Sequence, residues 1–157
     1  MFGWHGKILR IDLSAGTWGT EVLSAGLMRD YVGGRGMCTR ILFDEIDPTI
    51  DALGPENKLI FATGPLTGSG APAASRFIVS AKSPLSNCVS NPCCGGYFGA
   101  NLKYAGFDLL IFEGRSPTPV YVTIYNDRVE ILPAGHLWGK TSTETDKVLF
   151  RWVCSVW

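Results

Sequence analysis

Two apolar runs rich in strand formers, LIFAT (Leu59 to Thr63) and FIVSA (Phe77 to Ala81), are joined by GPLTGSGAPAASR, which carries three glycines and two prolines and ends on Arg76. Runs of this length read as strands covered on both faces, while the connection holds too much glycine and proline to be regular. Irregular backbone between two buried strands must be held by something specific, and a ligand is one candidate. Glycine is abundant throughout, at 19 of 157 residues against an ordinary usage of ~7%. Backbone, more than side chains, shapes part of this molecule.

The remaining elements follow from periodicity. KILRIDL (Lys7 to Leu13) alternates Ile8, Arg10 and Asp12 with Leu9, Ile11 and Leu13, and the short SAG connection leads to TWGTEVL (Thr17 to Leu23) as an antiparallel partner. Ser24 can cap a short helix ending at Gly33-Gly34, where a left-handed backbone costs glycine little. Met37, Ile41, Leu42 and Ile46 recur at helical spacing from Gly36 to about Glu45, and Asp47-Pro48 stops that helix. A third helix places Phe98, Leu102 and Ala105 on one face before Gly106. DLLIFEG (Asp108 to Gly114) is a further buried strand, and VYVTIY (Val120 to Tyr125) and VEIL (Val129 to Leu132) flank Asn126-Asp127-Arg128 as a hairpin. Thr141 and Glu144 match a capping box opening a last helix. The fold class is α+β, β-rich, with a few short helices.

Composition excludes several functions. Lys plus Arg and Asp plus Glu number 14 each, so no charge excess points to nucleic acid or an acidic membrane surface. No apolar run approaches the roughly 20 residues that span a bilayer, and the N-terminus alternates in polarity, so a cytoplasmic protein is expected. Five cysteines without regular spacing read as reduced thiols.

A few residues could carry chemistry. Arg76, where the glycine-rich segment meets a strand, is placed either to grip an anion such as a phosphate with a two-pronged hydrogen bond or to pair with a surface carboxylate. Gly95 and Gly96 precede a helix, where they could admit a phosphate or a ring edge to backbone N–H groups or simply turn the chain. Cys93 and Cys94 are adjacent, point to opposite faces if on a strand, and make a poor chelating pair. His5 and His136 have no nucleophile placed for a triad, and neither Walker A nor Rossmann glycine spacing occurs.

Taken together, GWHGKILRIDLSAG, YVGGRGMCTRILFDEIDP, ENKLIFATGPLTGSGAPAASRF, AKSPLS, GGYFGANLKYAGFDLLIFEG and HLWGK resemble, in order and spacing, the N-terminal domain of the aldehyde ferredoxin oxidoreductase family. The resemblance covers residues 1–146. It implies two β-sheets forming a base beneath a tungsten- or molybdenum-bis-pterin cofactor with a bridging magnesium. It further implies that Arg76 contacts a pterin phosphate and that Cys93, Cys94, Gly95 and Gly96 lie against the pterin. Full members oxidise aldehydes to carboxylic acids and pass electrons to ferredoxin, using a 4Fe-4S cluster whose ligands lie beyond this sequence. Several relatives carry Asn where Cys93 stands here, and a thiol is a poor magnesium ligand, although the Cys93 backbone carbonyl could serve.

Two functional expectations result. One is the front part of such an oxidoreductase, inactive without C-terminal domains, with residues 147–157 an atypical apolar tail from truncation or a shifted frame. The other is a stand-alone pterin-binding or assembly subunit that pairs with a separate catalytic chain.

Overall fold

The first hairpin forms as its alternation predicts: β1 (Lys7–Asp12) and β2 (Thr17–Val22) pair antiparallel with Lys7 opposite Val22 and Asp12 opposite Thr17. The Asp12 carboxylate accepts from the N–H groups of Ser14 and Ala15, which closes the turn. The computed structural model describes residues 3–155, with side chains to residue 149. The side chains of 150–157, on which the apolar-tail expectation rests, lie outside the described residues.

Ser24 caps α1 (Ala25–Tyr31) by accepting from Leu27 N at 3.1 Å. The helix ends on Val32 with φ of +59°, followed by Gly33 and Gly34 at positive φ, so the left-handed turn falls partly on a β-branched residue. α2 (Gly34–Glu45) follows and buries Met37, Cys38, Ile41 and Leu42. Then come β3 (Leu59–Ala62), β4 (Phe77–Lys82), β5 (Val89–Ser90), β6 (Cys93–Cys94), α3 (Phe98–Tyr104) and β7 (Leu109–Glu113). β8 (Val120–Tyr125) and β9 (Arg128–Pro133) precede α4 (Ser142–Ser155). α4 starts on the expected capping box: Thr141 N donates to Glu144 Oε2 at 2.9 Å and Glu144 N to Thr141 Oγ1 at 3.3 Å.

The large sheet runs β2-β1-β7-β3-β4-β5, with β6 also paired to β4, and β8-β9 form a separate two-stranded sheet. β7 is central, parallel to β1 and antiparallel to β3, and its alternation divides the core. Leu109 and Ile111 join Ile8, Ile60 and the apolar face of α2 on one side, whereas Leu110 joins Leu9, Ile11, Leu102, Phe107 and Val129 on the other. Each such side chain stabilises the fold by roughly 1.5–3 kcal/mol through burial. The α+β architecture with two sheets agrees with the sequence reading. It differs in detail: β5 and β6 are extra two-residue strands, and the second hairpin turns on Asn126-Asp127 alone, with Arg128 already paired to Tyr125. No described helix is long and apolar enough to cross a membrane.

Candidate functional site

The expected site residues come together at one end of β4. Its pairing with β6 sets Phe77 opposite Cys94 and Ile78 opposite Cys93. One step further along the same register, Arg76 faces Gly95, its Nε 4.0 Å from where a Gly95 Cβ would lie. Side chains alternate along a strand, so Arg76, Ile78, Cys93 and Gly95 share one face and Phe77 and Cys94 the other. Cys94 is thus the one predicted cofactor contact directed away from its neighbours, and only its backbone remains at the site. Val79 N donates to Pro92 O, and hydrogen-bonded and free pairs alternate in an antiparallel ladder, which leaves the Cys93 carbonyl unused by β4.

Beside this face lies a cavity of about 350 Å³ whose walls come from three separated stretches: Val32 to Gly34, Ala62 to Thr67, and Ala73 to Ile78. Glycines make the convergence possible. A Cβ on Gly33 would stand 2.8 Å from Trp4 Cη2 and 3.0 Å from the Thr63 carbonyl oxygen, and one on Gly3 would stand 2.7 Å from the Pro65 oxygen. The irregular segment is held largely by its own chain. Thr67 Oγ1 accepts from Gly64 N at 2.9 Å and donates to Arg76 O at 3.1 Å, and Gly68 N donates to Ala74 O at 3.0 Å. A ligand is therefore not required to fix it, and what remains available is the cavity it encloses.

Two further features single out this cavity. Among the described residues, positive φ on a non-glycine occurs at Val32, Ala73, Asn87 and Asn126, and the two that are not asparagine both line it. Asparagine tolerates that region, whereas valine and alanine store strain of about 1–3 kcal/mol there, a cost that concentrates at functional sites. Arg76 is exposed and, among the described residues, has no carboxylate partner, which removes the surface ion pair as an account of it. Gly96 has φ of +90° and open space around its Cα. His5 and His136 lie elsewhere: His5 uses its backbone N–H on Asp108, and the His136 ring packs edge-on against Tyr121.

Sequence reasoning missed a buried ion pair at the start of β7. Lys103 Nζ meets Asp108 Oδ1 at 2.6 Å, with the two side chains 6% and 0% exposed. The spacing KYAGFD carries the pair across the end of α3, and its one visible signal is an acid at the start of an apolar strand. A second group, Arg10, Glu21, Glu45, Lys58 and Glu113, gathers near the opposite end of the sheet. Burial opposes charge on Glu45 and Glu113, but hydrogen bonds from Arg10 and Lys58 outweigh it and hold both carboxyls below the ordinary glutamate range.

Comparison with known proteins sets this geometry in context. The sequence pattern of "aldehyde ferredoxin oxidoreductase, N-terminal domain" matches residues 8–153. The chain belongs to the aldehyde ferredoxin oxidoreductase family. A tungsten-containing aldehyde ferredoxin oxidoreductase of Pyrococcus abyssi is 48% identical over 149 residues, which is 95% of this chain and 24% of that protein. The Pyrococcus furiosus enzyme of the same name is 43% identical over 155 residues, or 99% of this chain and 26% of its own length. The aliphatic sulfonate oxidoreductase, WOR-like subunit, of Pyrococcus furiosus is 40% identical over 154 residues, covering 96% of this chain and 24% of the subunit. A solved structure, the active site complex BamBC of benzoyl coenzyme A reductase with 1,5-dienoyl-CoA, superposes with a TM-score of 0.94 at 38% identity, over 97% of this chain and 23% of that one. The chain spans about a quarter of the length of these relatives.

For this aldehyde ferredoxin oxidoreductase N-terminal domain, the donor set can be compared with the cofactor the family implies. An unpaired guanidinium beside side-chain-free backbone suits a phosphate. The Cys93 thiol does not suit magnesium, whereas its unpaired carbonyl oxygen is the hard donor that ion prefers.

Proposed function

We propose that this chain is the metallopterin-binding N-terminal part of a tungsten- or molybdenum-dependent oxidoreductase that converts aldehydes to carboxylic acids with ferredoxin as electron acceptor. The observation that carries the reading is the register of β4 and β6, which sets an unpaired Arg76 opposite Gly95 at the edge of a glycine-walled cavity. Arg76 would hold a pterin phosphate, and the Cys93 backbone carbonyl would offer a hard oxygen donor to a magnesium ion. Gly95 and Gly96 leave room for the pterin against the backbone, with Cys94 contributing main chain only. When bound, the cofactor supplies the metal centre at which the aldehyde is oxidised. The residues here hold and orient it, while the 4Fe-4S cluster and the substrate channel belong to C-terminal domains. A pterin cradled from one side keeps much of its surface in water, so the chain alone binds weakly and is inactive. In a full-length setting, Arg76→Ala lowers both pterin and metal content; unchanged content in that variant refutes the phosphate assignment.

A second reading, a pterin-binding or assembly subunit paired with a separate catalytic chain, draws on a relative named as a subunit and a structural neighbour that is part of a complex. Coding sequence past Trp157 separates the two. A C-x-x-C-x-x-x-C cluster motif with the remaining family length supports the fragment, and a stop followed by unrelated sequence supports the subunit.

A further inference from the structure

We infer that Lys103 and Asp108 form a positioning node that sets the walls of the cavity without touching what binds in it. The observation is how completely both groups are used. Lys103 Nζ donates to Asp108 Oδ1 at 2.6 Å and to Gly3 O at 2.7 Å, and lies 4.6 Å from the centre of the Trp4 ring. Asp108 accepts from three successive backbone N–H groups, those of His5, Gly6 and Lys7, at 3.2, 2.7 and 3.3 Å. A carboxylate at 0% exposure with an ammonium and three amides around it is satisfied, and no other segment in the described chain is clasped this way.

From this node two routes reach the cavity. In the first, the Asp108 carbonyl accepts from Thr63 N at 3.1 Å and Thr63 Oγ1 at 2.8 Å, and the Thr63 carbonyl in turn accepts from Gly34 N at 2.9 Å. In the second, the Trp4 ring that covers the Lys103 ammonium is the nearest group to where a Gly33 Cβ would lie. Gly33, Gly34 and Gly64, which follows Thr63, all line the cavity. Losing one partner of a buried pair leaves the other charge uncompensated, and the segment with the weakest remaining contacts yields first. Here the segment before β1 leans on the node through Gly3 O and the amides of His5 and Gly6, so the seat of Gly33 against Trp4 yields with it, while Gly34 is reached through Thr63 and Asp108. The consequence for ligand binding rests on the pterin reading above; the mechanical coupling does not.

Hydrogen exchange on the chain tests it without any ligand. In Lys103→Met, the amides of Gly6, Lys7, Thr63 and Gly34 exchange on the order of a hundredfold faster than in the parent, while Ile60 and Ile111 in the sheet keep their rates. Lys103→Arg, which keeps charge and donors, restores protection at Gly34. Equal acceleration at Ile60 and Ile111 would reduce the pair to general stability, and unchanged Gly34 and Thr63 would sever the route to the cavity; either overturns the inference. If Lys103→Met does not fold, Trp4→Leu, which leaves the ion pair intact, must speed exchange at Gly34 for the second route to stand. Because no pterin is involved, these results fail or hold independently of Arg76→Ala.

Discussion

Arg76 faces Gly95 one step beyond the β4–β6 ladder, with its Nε 4.0 Å from the position of a Gly95 Cβ. That separation is ordinary van der Waals contact, and Gly95 has no positive φ to protect. Gly95→Ala is therefore expected to leave stability within about 0.5 kcal/mol of the parent, since surface changes that break nothing are near neutral. Pterin retained by a full-length protein carrying it should nevertheless fall severalfold, because the methyl group occupies ligand space. A clear drop in the denaturant midpoint would show instead that Gly95 serves the fold.

Gly33→Ala is the opposite case. Its Cβ would meet Trp4 Cη2 at 2.8 Å and Thr63 O at 3.0 Å from a backbone with φ of +143°. Overpacking and left-handed strain together are expected to cost about 2–4 kcal/mol, read from urea unfolding at constant slope. A variant as stable as the parent would mean that the α1–α2 junction is not packed as described.

Periodicity made most elements legible, because Leu9, Ile11, Leu110 and the apolar face of α2 are buried by the same alternation that appears in the sequence. Ser24 and Thr141 marked their helices for an equally local reason, each accepting from an amide three residues on. β5 and β6 were not legible, since two residues carry no period. Arg76, Cys93 and Gly95 could be nominated individually, but their shared face depends on the β4–β6 register, a non-local fact. Lys103 with Asp108, and Arg10 with Glu45, were invisible because a charged residue read alone suggests a solvated surface, and only the fold shows which are enclosed.

Cysteine reactivity should divide by location. Burial pushes the Cys38 thiol up to about 11, partly opposed by a hydrogen bond with Ser80, whereas Cys88 and Cys93 are exposed. At pH 8 an alkylating reagent should modify Cys88 and Cys93 within minutes and reach Cys38 only on unfolding. Because the folded value lies above the ordinary 9.0, Cys38 contributes stability that is intact below pH 9 and declines above it. Peptide mapping that finds Cys38 labelled in folded protein would contradict its enclosure on the buried face of α2.

The acid side of the stability profile should belong to Glu45 and Glu113. Arg10 lies 2.9 and 3.0 Å from them and Lys58 2.7 Å from each, so both carboxyls titrate below their ordinary 4.5 in the folded chain. A depressed folded value means that the unfolded chain takes up protons first. The stabilisation is complete above pH 4.5 and is lost as pH falls through the lower folded values. Urea midpoints should accordingly hold steady from neutrality to about pH 5 and then fall. Lys58→Met should lower the neutral-pH stability by on the order of 1 kcal/mol, because these pairs are only partly shielded from water. It should also make the decline below pH 4.5 shallower, as should 1 M salt, which screens such pairs. If the variant and the parent fall in parallel on acidification, the two glutamates owe nothing to Lys58, and the cluster is a surface coincidence instead of a clamp joining β1, α2 and β7.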